Sequence, residues 1–231
     1  MDDRLLALLQ KALGHELPNQ LIAVQGLARL LDAEARDRLG DDGRDYVQRL
    51  SAAAQRAHEM TRSLADLIRA LRAPRSALRV PVAEVLREAA QETQVLFPAC
   101  RIDHHFPQHG PFLTVPATVL RQLALQLLRH ACQAASPHGG AVAVGAREAA
   151  GEVAFWVCAG GPPLSVQQQQ QLFEPFACRE QAGAGCGLGP LLARQIVDSW
   201  GGQLGVQSEA ARGTTFRVGF PLGVGREQEH A

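Results

Sequence analysis

Hydrophobic residues recur every three or four positions through the first 35 residues, which is the spacing of one face of an α-helix. This pattern predicts a helix over residues 2–35 with an apolar stripe buried against a neighbouring element. The stripe consists of Leu6, Leu9, Leu13, Leu17, Leu21, Val24, Leu27 and Leu31. Pro18 lies inside this helix and removes one backbone hydrogen bond, so we expect a kink there.

A second helix is predicted over residues 45–71, after a polar run with two glycines at 36–44 that indicates a turn. Its apolar positions alternate spacings of four and three, a heptad pattern typical of helical bundles. These positions are Tyr46, Leu50, Ala53, Ala57, Met60, Leu64, Leu67 and Leu71. Because two helices alone bury two such stripes poorly, we expect a homodimer with a four-helix bundle. Packing of the second helix on the C-terminal half of the same chain is the alternative.

The pattern changes after residues 73–76, Ala-Pro-Arg-Ser, which indicate a linker. Helices are then predicted at 82–96, 117–135 and 191–200, with one exposed helical turn at 167–171. Strands are predicted at 78–80, 101–106, 112–115, 141–144, 153–157, 203–207 and 214–220. This arrangement predicts a mixed sheet covered by helices, an α/β sandwich. We therefore expect a helical-hairpin domain at 1–73, a sandwich domain at 77–223 and a tail at 224–231.

Composition narrows the range of functions. The 231 residues include 23 Lys and Arg against 23 Asp and Glu, so the formal net charge is zero, which argues against nucleic acid or an anionic membrane as a partner. No apolar run reaches the roughly 20 residues of a membrane span, so any membrane signal would need a separate sensor protein. The absence of a signal peptide and an odd number of cysteines favour the cytoplasm. The five cysteines form no C-x-x-C pair, so we do not expect a zinc site. They are Cys100, Cys132, Cys158, Cys178 and Cys186.

His15 is the candidate for chemistry in the first helix. It follows Leu13 by two residues, about 200° around the helix, so its imidazole should face away from the stripe. Lys11 and Asn19 share its face, and Glu16 is adjacent in sequence. A lone surface histidine is most often only a solvated residue. With a carboxylate and an amide at hand, however, an imidazole can act as a nucleophile.

Segments along the whole chain resemble two-component sensor histidine kinases. His15-Glu16-Leu17 followed by Asn19 resembles the family's phosphoacceptor box, although Pro18 here precedes the amide rather than following it. The later segments fall in the family's order. They resemble its asparagine-containing helix at 120–131, first glycine box at 157–164, phenylalanine box at 172–176, second glycine box at 185–189, and its ending at 201–202, 213–216 and 220–222. The resemblance implies a dimerisation and phosphotransfer domain followed by an ATP-binding domain of the GHKL type.

The resemblance also implies roles for individual residues. His15 would accept the phosphoryl group, Glu16 would hold the ring tautomer and take up the proton, and Asn19 would position water for dephosphorylation of the partner. That partner would be the receiver domain of a response regulator, and the cofactors would be ATP and Mg²⁺. The implied cofactor-binding positions are Gln126, His130, Gly161, Gly185, Gly187 and Gly189.

Three departures from the family fall where nucleotide chemistry is done. Ala159 stands in place of an aspartate that accepts a hydrogen bond from adenine, a loss of about 1.5–3 kcal/mol, or roughly ten- to a hundredfold in affinity. Gln126 and His130 stand where the family places an asparagine oxygen on Mg²⁺, which prefers hard oxygen ligands. Pro190 removes one backbone donor beside the second glycine box, although proline suits the first turn of a helix. The nucleotide site therefore resembles the degenerate one of a histidine phosphotransferase.

Three functions remain open at this point. The first is a histidine phosphotransferase that exchanges phosphoryl groups between His15 and receiver aspartates and uses ATP weakly, which the altered nucleotide positions favour. The second is a divergent sensor histidine kinase that autophosphorylates from ATP, which the intact second glycine and phenylalanine boxes favour. The third is a non-enzymatic scaffold that binds and inhibits a kinase or a response regulator.

Overall fold

The structure, a computed structural model, describes residues 9, 11–35, 38–75, 78–149, 151–175 and 187–222. It divides into two compact units, Met1–Ile68 and Arg69–Ala231. Gly185, Leu6 and the expected tail at 224–231 lie outside the described residues. None of the described helices has the length and apolar character that crossing a membrane requires.

The first unit is helical. A π-helical turn at Ala12–Glu16 leads into α1, Leu17–Ala35, and α2 follows at Asp41–Arg72, with its last turn in the second unit. The α2 helix begins four residues earlier than predicted. Asp41 and Asp42 occupy its first turn, where their carboxylates face the positive end of the helix dipole.

The disturbance expected at Pro18 takes the form of the π-helical turn. Proline has no N–H, and its ring collides with the carbonyl group four residues earlier in a regular α-helix. The backbone widens just before it, so that the N–H of Leu17 donates to the carbonyl oxygen of Ala12, five residues back.

The apolar stripe predicted to be buried on α1 is exposed in the single chain. Leu17, Leu27 and Leu31 expose 46%, 68% and 45% of their surfaces. Among the described apolar residues of α1, Ala28 is the buried one. The prediction of a buried stripe was therefore wrong for one chain, because a two-helix hairpin offers α1 too little surface to cover it.

The α2 helix is buried along a line displaced by one residue from the predicted heptad. Val47, Ala54, Thr61 and Ala65 lie four or seven residues apart along this line and are buried, and Asp66 and Ala70 are buried near the end of the helix. Tyr46 and Leu50 of the predicted stripe are exposed. The two helices are joined by a hydrogen bond in which Gln25 Nε2 donates to Gln55 Oε1 at 2.9 Å. One face of α2 is thus buried within the chain, and the predicted apolar face beside it is half-buried in its middle and exposed near its ends.

Apart from the last turn of α2, the described part of the second unit contains seven strands, four α-helices and a short 3-10 helix at Ser136–His138. In chain order the strands and α-helices are β1 Val80–Pro81, α3 Val82–Leu96, β2 Arg101–His105, β3 Phe112–Leu113, α4 Ala117–Ala135, β4 Ala141–Ala149, β5 Glu152–Ala159, α5 Val166–Gln171, α6 Gly189–Ser199, β6 Gln203–Glu209 and β7 Gly213–Pro221. The α3 and α4 helices match their predicted bounds. The β4 strand runs five residues beyond the predicted 144, because its charged end still pairs with β5.

The main sheet has the strand order β2-β4-β5-β7-β6, with β2 and β4 parallel and the other pairs antiparallel. The α3, α4 and α6 helices pack against it. Large side chains of the fully buried core include Phe155, Phe216, Phe220, Leu120, Leu123, Leu127 and Ile196. The predicted mixed α/β sandwich is confirmed, and it brings the end of β5, the middle of α4 and the start of α6 into one unit.

Candidate functional site

The first candidate site is the turn that carries His15. The side chains of His15, Glu16 and Asn19 are all exposed. His15 and Glu16 lie in the π-helical turn, and Asn19 lies in the first turn of α1, directly after Pro18. The predicted exposure of the imidazole is therefore confirmed, in a backbone conformation that the sequence pattern did not predict.

This arrangement is suited to nucleophilic chemistry. A neutral imidazole has a free lone pair that can attack a phosphoryl group, provided that the attacking nitrogen is accessible and the other holds the proton. An acidic and an amide side chain on the same short segment can orient the ring and a nearby water. π-helical turns inside helices are frequent at functional sites.

The second candidate site lies where α4 meets the start of α6. Gln126 and His130 are one turn apart on α4 and share a face. A Cβ atom added at Gly189, the first residue of α6, would lie 3.1 Å from the backbone oxygen of Gln126, 3.8 Å from its Oε1 and 3.6 Å from the Cβ of His130. The structure thus brings together three residues predicted to bind the cofactor, and the lack of a side chain at Gly189 permits the close approach.

His130 is packed as a neutral side chain. Its ring lies edge-on to Phe216, with ring centroids 5.5 Å apart. Burial lowers the pKa of His130 to about 4, because the charged imidazolium loses its hydration. The protonated form of the ring is therefore rare at neutral pH in the protein without a ligand.

These donors match Mg²⁺ poorly. The ion prefers several hard oxygen ligands in octahedral geometry, and an imidazole nitrogen suits softer metals. Gln126 keeps an amide oxygen, but its side chain is buried, with 6% of its surface exposed. Among the described residues, no group of three or more His, Cys, Asp or Glu side chains is placed to hold a metal. No step of the chemistry is therefore assigned to Mg²⁺ here.

The end of β5 contains Ala159, the position at which the resemblance implies an aspartate. Ala159 is buried and pairs with Val142 on β4 and Thr214 on β7. Its methyl group cannot accept a hydrogen bond. The hydroxyl of Thr214 lies 2.9 Å from Ser208 Oγ, so it already has a polar partner. Sequence reasoning missed Ser208 and Thr214, because their place beside Ala159 depends on the pairing of β5, β6 and β7.

The glycine boxes supply backbone conformations that other residues adopt with strain. Gly161 and Gly187 have φ angles of +148° and +66°. Gly161 also lies against an imidazole, since a Cβ atom added there would be 3.2 Å from His138 Cδ2. Gly187 leads into α6, whose first turn contains Pro190. The backbone N–H groups at such a helix start can bind phosphate, with one donor fewer because of the proline.

Comparison with known families identifies the second unit. Residues 116–224 match the model described as "Histidine kinase-, DNA gyrase B-, and HSP90-like ATPase". This range includes Gln126, His130, Ala159 and Gly189, so the whole α4–α6 site lies in the matched domain.

Curated relatives match most of the chain. The adaptive-response sensory kinase SasA of Thermosynechococcus vestitus is 30% identical over 235 residues, which cover 95% of this chain and 60% of that protein. The sensor histidine kinase ZraS of Escherichia coli K12 is 26% identical, over 97% of this chain and 48% of that protein. The circadian input-output histidine kinase CikA of Synechococcus elongatus is 27% identical, over 90% and 29%. The chain thus spans between 29% and 60% of the length of these relatives.

Solved structures share the fold. Full-length ShkA in complex with AMPPNP superposes with a TM-score of 0.60 and 24% identity, covering 96% of this chain and 46% of that one. The mycobacterial sensor histidine kinase MprB superposes with a TM-score of 0.53 and 22% identity, covering 62% of this chain and 96% of that one. The first of these matches includes the helical unit as well as the sandwich.

Proposed function

We propose that this chain, which has the core of a two-component histidine kinase with a GHKL-type ATPase domain, transfers phosphoryl groups through His15. The imidazole takes up a phosphoryl group and passes it to the aspartate of a response-regulator receiver domain. The observation that carries this proposal is the exposed His15 in a π-helical turn, with Glu16 and Asn19 on the same exposed segment.

We place ATP first as the phosphoryl donor, which makes the protein a divergent sensor histidine kinase. The comparisons support this function better than they support a phosphotransferase, since the relatives reported above are named as kinases and ShkA was solved with AMPPNP. The start of α6, packed on α4 at Gly189, offers backbone donors for phosphate. The methyl group of Ala159 and the neutral ring of His130 predict weak nucleotide binding and slow autophosphorylation.

A histidine phosphotransferase is the second candidate, and two observations favour it. Ala159 has no acceptor for a base, and the donors Gln126 and His130 suit Mg²⁺ poorly. In this function the phosphoryl group on His15 comes from the aspartyl phosphate of one receiver domain and goes to the aspartate of another. The nitrogen–phosphorus bond forms as the acyl phosphate bond breaks, and ATP is not needed.

A homodimer completes the proposal. The exposed apolar residues of α1, together with Tyr46 and Leu50 of α2, offer apolar surface that a second hairpin can bury. This arrangement supports the four-helix bundle expected from the heptad pattern. The bundle would leave His15 accessible to a receiver domain.

One experiment separates the donors. Purified protein is incubated with radiolabelled ATP and Mg²⁺, and in parallel with a panel of radiolabelled phospho-receiver domains. The kinase is supported if ATP labels the unmodified chain and the label is lost in His15→Ala. His109→Ala, which changes an exposed histidine of the second unit, is the control and should keep the label. Label from a receiver alone, with the same dependence on His15, supports the phosphotransferase.

The same assay can also indicate a non-enzymatic scaffold that binds and inhibits a kinase or a response regulator. Labelling of neither kind, combined with inhibition of a kinase or a regulator that survives His15→Ala, would contradict phosphoryl transfer through His15. It would assign the exposed turn a binding role only.

A further inference from the structure

Three contacts join the C-terminal end of α6 to residues 69–75, the segment with which the second unit begins. Trp200 follows α6 and is buried, and its Nε1 donates to the carbonyl oxygen of Ala70 at 3.3 Å. The guanidinium of Arg75 lies 4.9 Å from the centroid of the Trp200 ring and donates to the carbonyl oxygen of Ser199 at 3.2 Å. We call these four residues the Trp200 clamp. All of them belong to the second unit, which begins at Arg69.

The clamp has a physical reason to stay closed. A buried indole N–H needs an acceptor, and opening the segment at 69–75 removes the one that Ala70 supplies. Arg75 places a positive charge at the C-terminal end of α6, where the helix dipole is negative, and over the face of an aromatic ring. Opening therefore loses a buried hydrogen bond, a stacking contact and a favourable charge at the same time.

The other end of α6 belongs to the candidate nucleotide site. Gly189 packs on Gln126 and His130, as described above. The helix between the two ends has 11 residues and is about 16 Å long. Its inner face is buried at Leu192, Ala193, Ile196 and Val197, so its two ends are parts of one packed element.

We propose that α6 couples nucleotide binding at Gly189 to the Trp200 clamp, so that a bound adenine nucleotide keeps the segment at 69–75 closed and its release allows that segment to open. Opening of the segment frees the Trp200 end of α6, so a ligand that needs the helix docked at Gly189 binds the open state less tightly than the closed one. Displacement of the Trp200 end then becomes rarer. The inference rests on the proposed binding of a nucleotide by the second unit. It does not depend on whether ATP or a phosphorylated receiver domain donates the phosphoryl group to His15.

Limited proteolysis of the full chain tests the coupling. Trypsin cleaves after Arg72, an exposed residue inside the clamped segment, and mass spectrometry measures the rate with and without millimolar ATP. ATP should slow this cleavage at least about threefold in the unmodified chain. In Trp200→Phe, which loses the N–H donor, cleavage should be faster without ATP and nearly independent of it.

Matched controls isolate the clamp. Ser199→Ala keeps the carbonyl group that Arg75 uses and should behave like the unmodified chain. Cleavage after Arg49, an exposed residue of the first unit, should not respond to ATP. Arg75→Ala removes the other half of the clamp at an exposed position and serves if circular dichroism shows that Trp200→Phe is misfolded.

A thermal-shift measurement on the same samples separates the two levels of the proposal. A higher melting temperature with ATP, but unchanged cleavage after Arg72, would overturn the coupling and leave the proposed kinase in place. If ATP changes neither quantity, both the coupling and ATP as the donor are refuted, and the phosphotransferase becomes the stronger candidate.

Discussion

At the scale of single residues, we propose that Ala159 and His130 weaken nucleotide binding by the second unit. Ala159 offers no hydrogen-bond acceptor at the buried end of β5, and His130 places a neutral ring, packed on Phe216, where the resemblance implies an oxygen ligand. Neither change disturbs the fold, because a methyl group and an imidazole both pack well in an apolar setting. The loss is therefore one of chemistry rather than of architecture.

The substitution Ala159→Asp should raise ATP affinity. A carboxylate at this position would accept a hydrogen bond from the adenine amino group, and the gain should be roughly ten- to a hundredfold. Ala159→Asn, with a neutral acceptor of similar size, should gain less. Isothermal titration with ATP measures both, and equal affinities for the three proteins would show that the base does not lie at Ala159.

His130 should make stability depend on pH. Its pKa is lowered to about 4 in the folded protein from 6.5, so between these values the unfolded chain binds more protons. Stability is then fully present above pH 6.5 and falls, by on the order of 1–3 kcal/mol, as the pH drops to 4. Urea unfolding at pH 7 and pH 4.5 should show this loss reduced in His130→Asn. The exposed His109→Asn serves as the control and should keep the full loss.

At the scale of elements, the hairpin of β6 and β7 builds the wall of the site beside Ala159. Gly213 begins β7 with a φ of +75°, and a Cβ atom added there would overlap the carbonyl oxygen of Ala159. A Cβ atom added at Gly205, on β6, would have no other atom within 4 Å. The fold thus requires a residue without a side chain at Gly213 but not at Gly205, although the two glycines lie on neighbouring strands.

We expect Gly213→Ala to destabilise the second unit by more than about 2 kcal/mol, through steric overlap and backbone strain. Gly205→Ala should change stability little, or raise it by up to about 1 kcal/mol, because it restricts the unfolded chain. Midpoints of urea unfolding compare the two. Similar midpoints would mean that the close approach of β7 to Ala159 contributes little.

At the scale of the whole molecule, the uncovered surface of the helical unit is the main feature. The apolar positions that stay exposed on α1 and α2 lie beside the faces that meet within the hairpin. Large contiguous apolar patches are rare on protein surfaces that remain in contact with water. The dimer proposed above would bury it in a bundle of four helices.

Charges placed in this surface should separate the dimer. Leu27→Glu combined with Leu31→Glu puts two carboxylates where apolar contact is proposed, and light scattering should then report the mass of one chain rather than two. Val95→Glu, at an exposed position near the end of α3, should leave the mass unchanged. An unmodified chain that is already monomeric at micromolar concentration would contradict the proposed dimer.

Local patterns in the sequence determined the elements of this protein. The periodicity of apolar residues predicted α3 and α4 to the residue, and the glycine pair at 201–202 marked the end of α6 to within one residue, although the helix begins at Gly189 rather than at the predicted 191. These properties depend on neighbours within a few positions, so they can be read along the chain. The exposure of His15 followed in the same way, from its angle relative to Leu13.

Contacts between distant segments were decided only by the tertiary structure. The approach of Gly189 to Gln126, the pairing that sets Thr214 beside Ala159 and the Trp200 clamp join residues that are 55 to 130 positions apart. The displaced burial on α2 has the same origin, because a heptad pattern shows that a helix has apolar faces but not which of them meets its own chain. Strand register and helix packing minimise the free energy of the whole fold, and no local spacing encodes that choice.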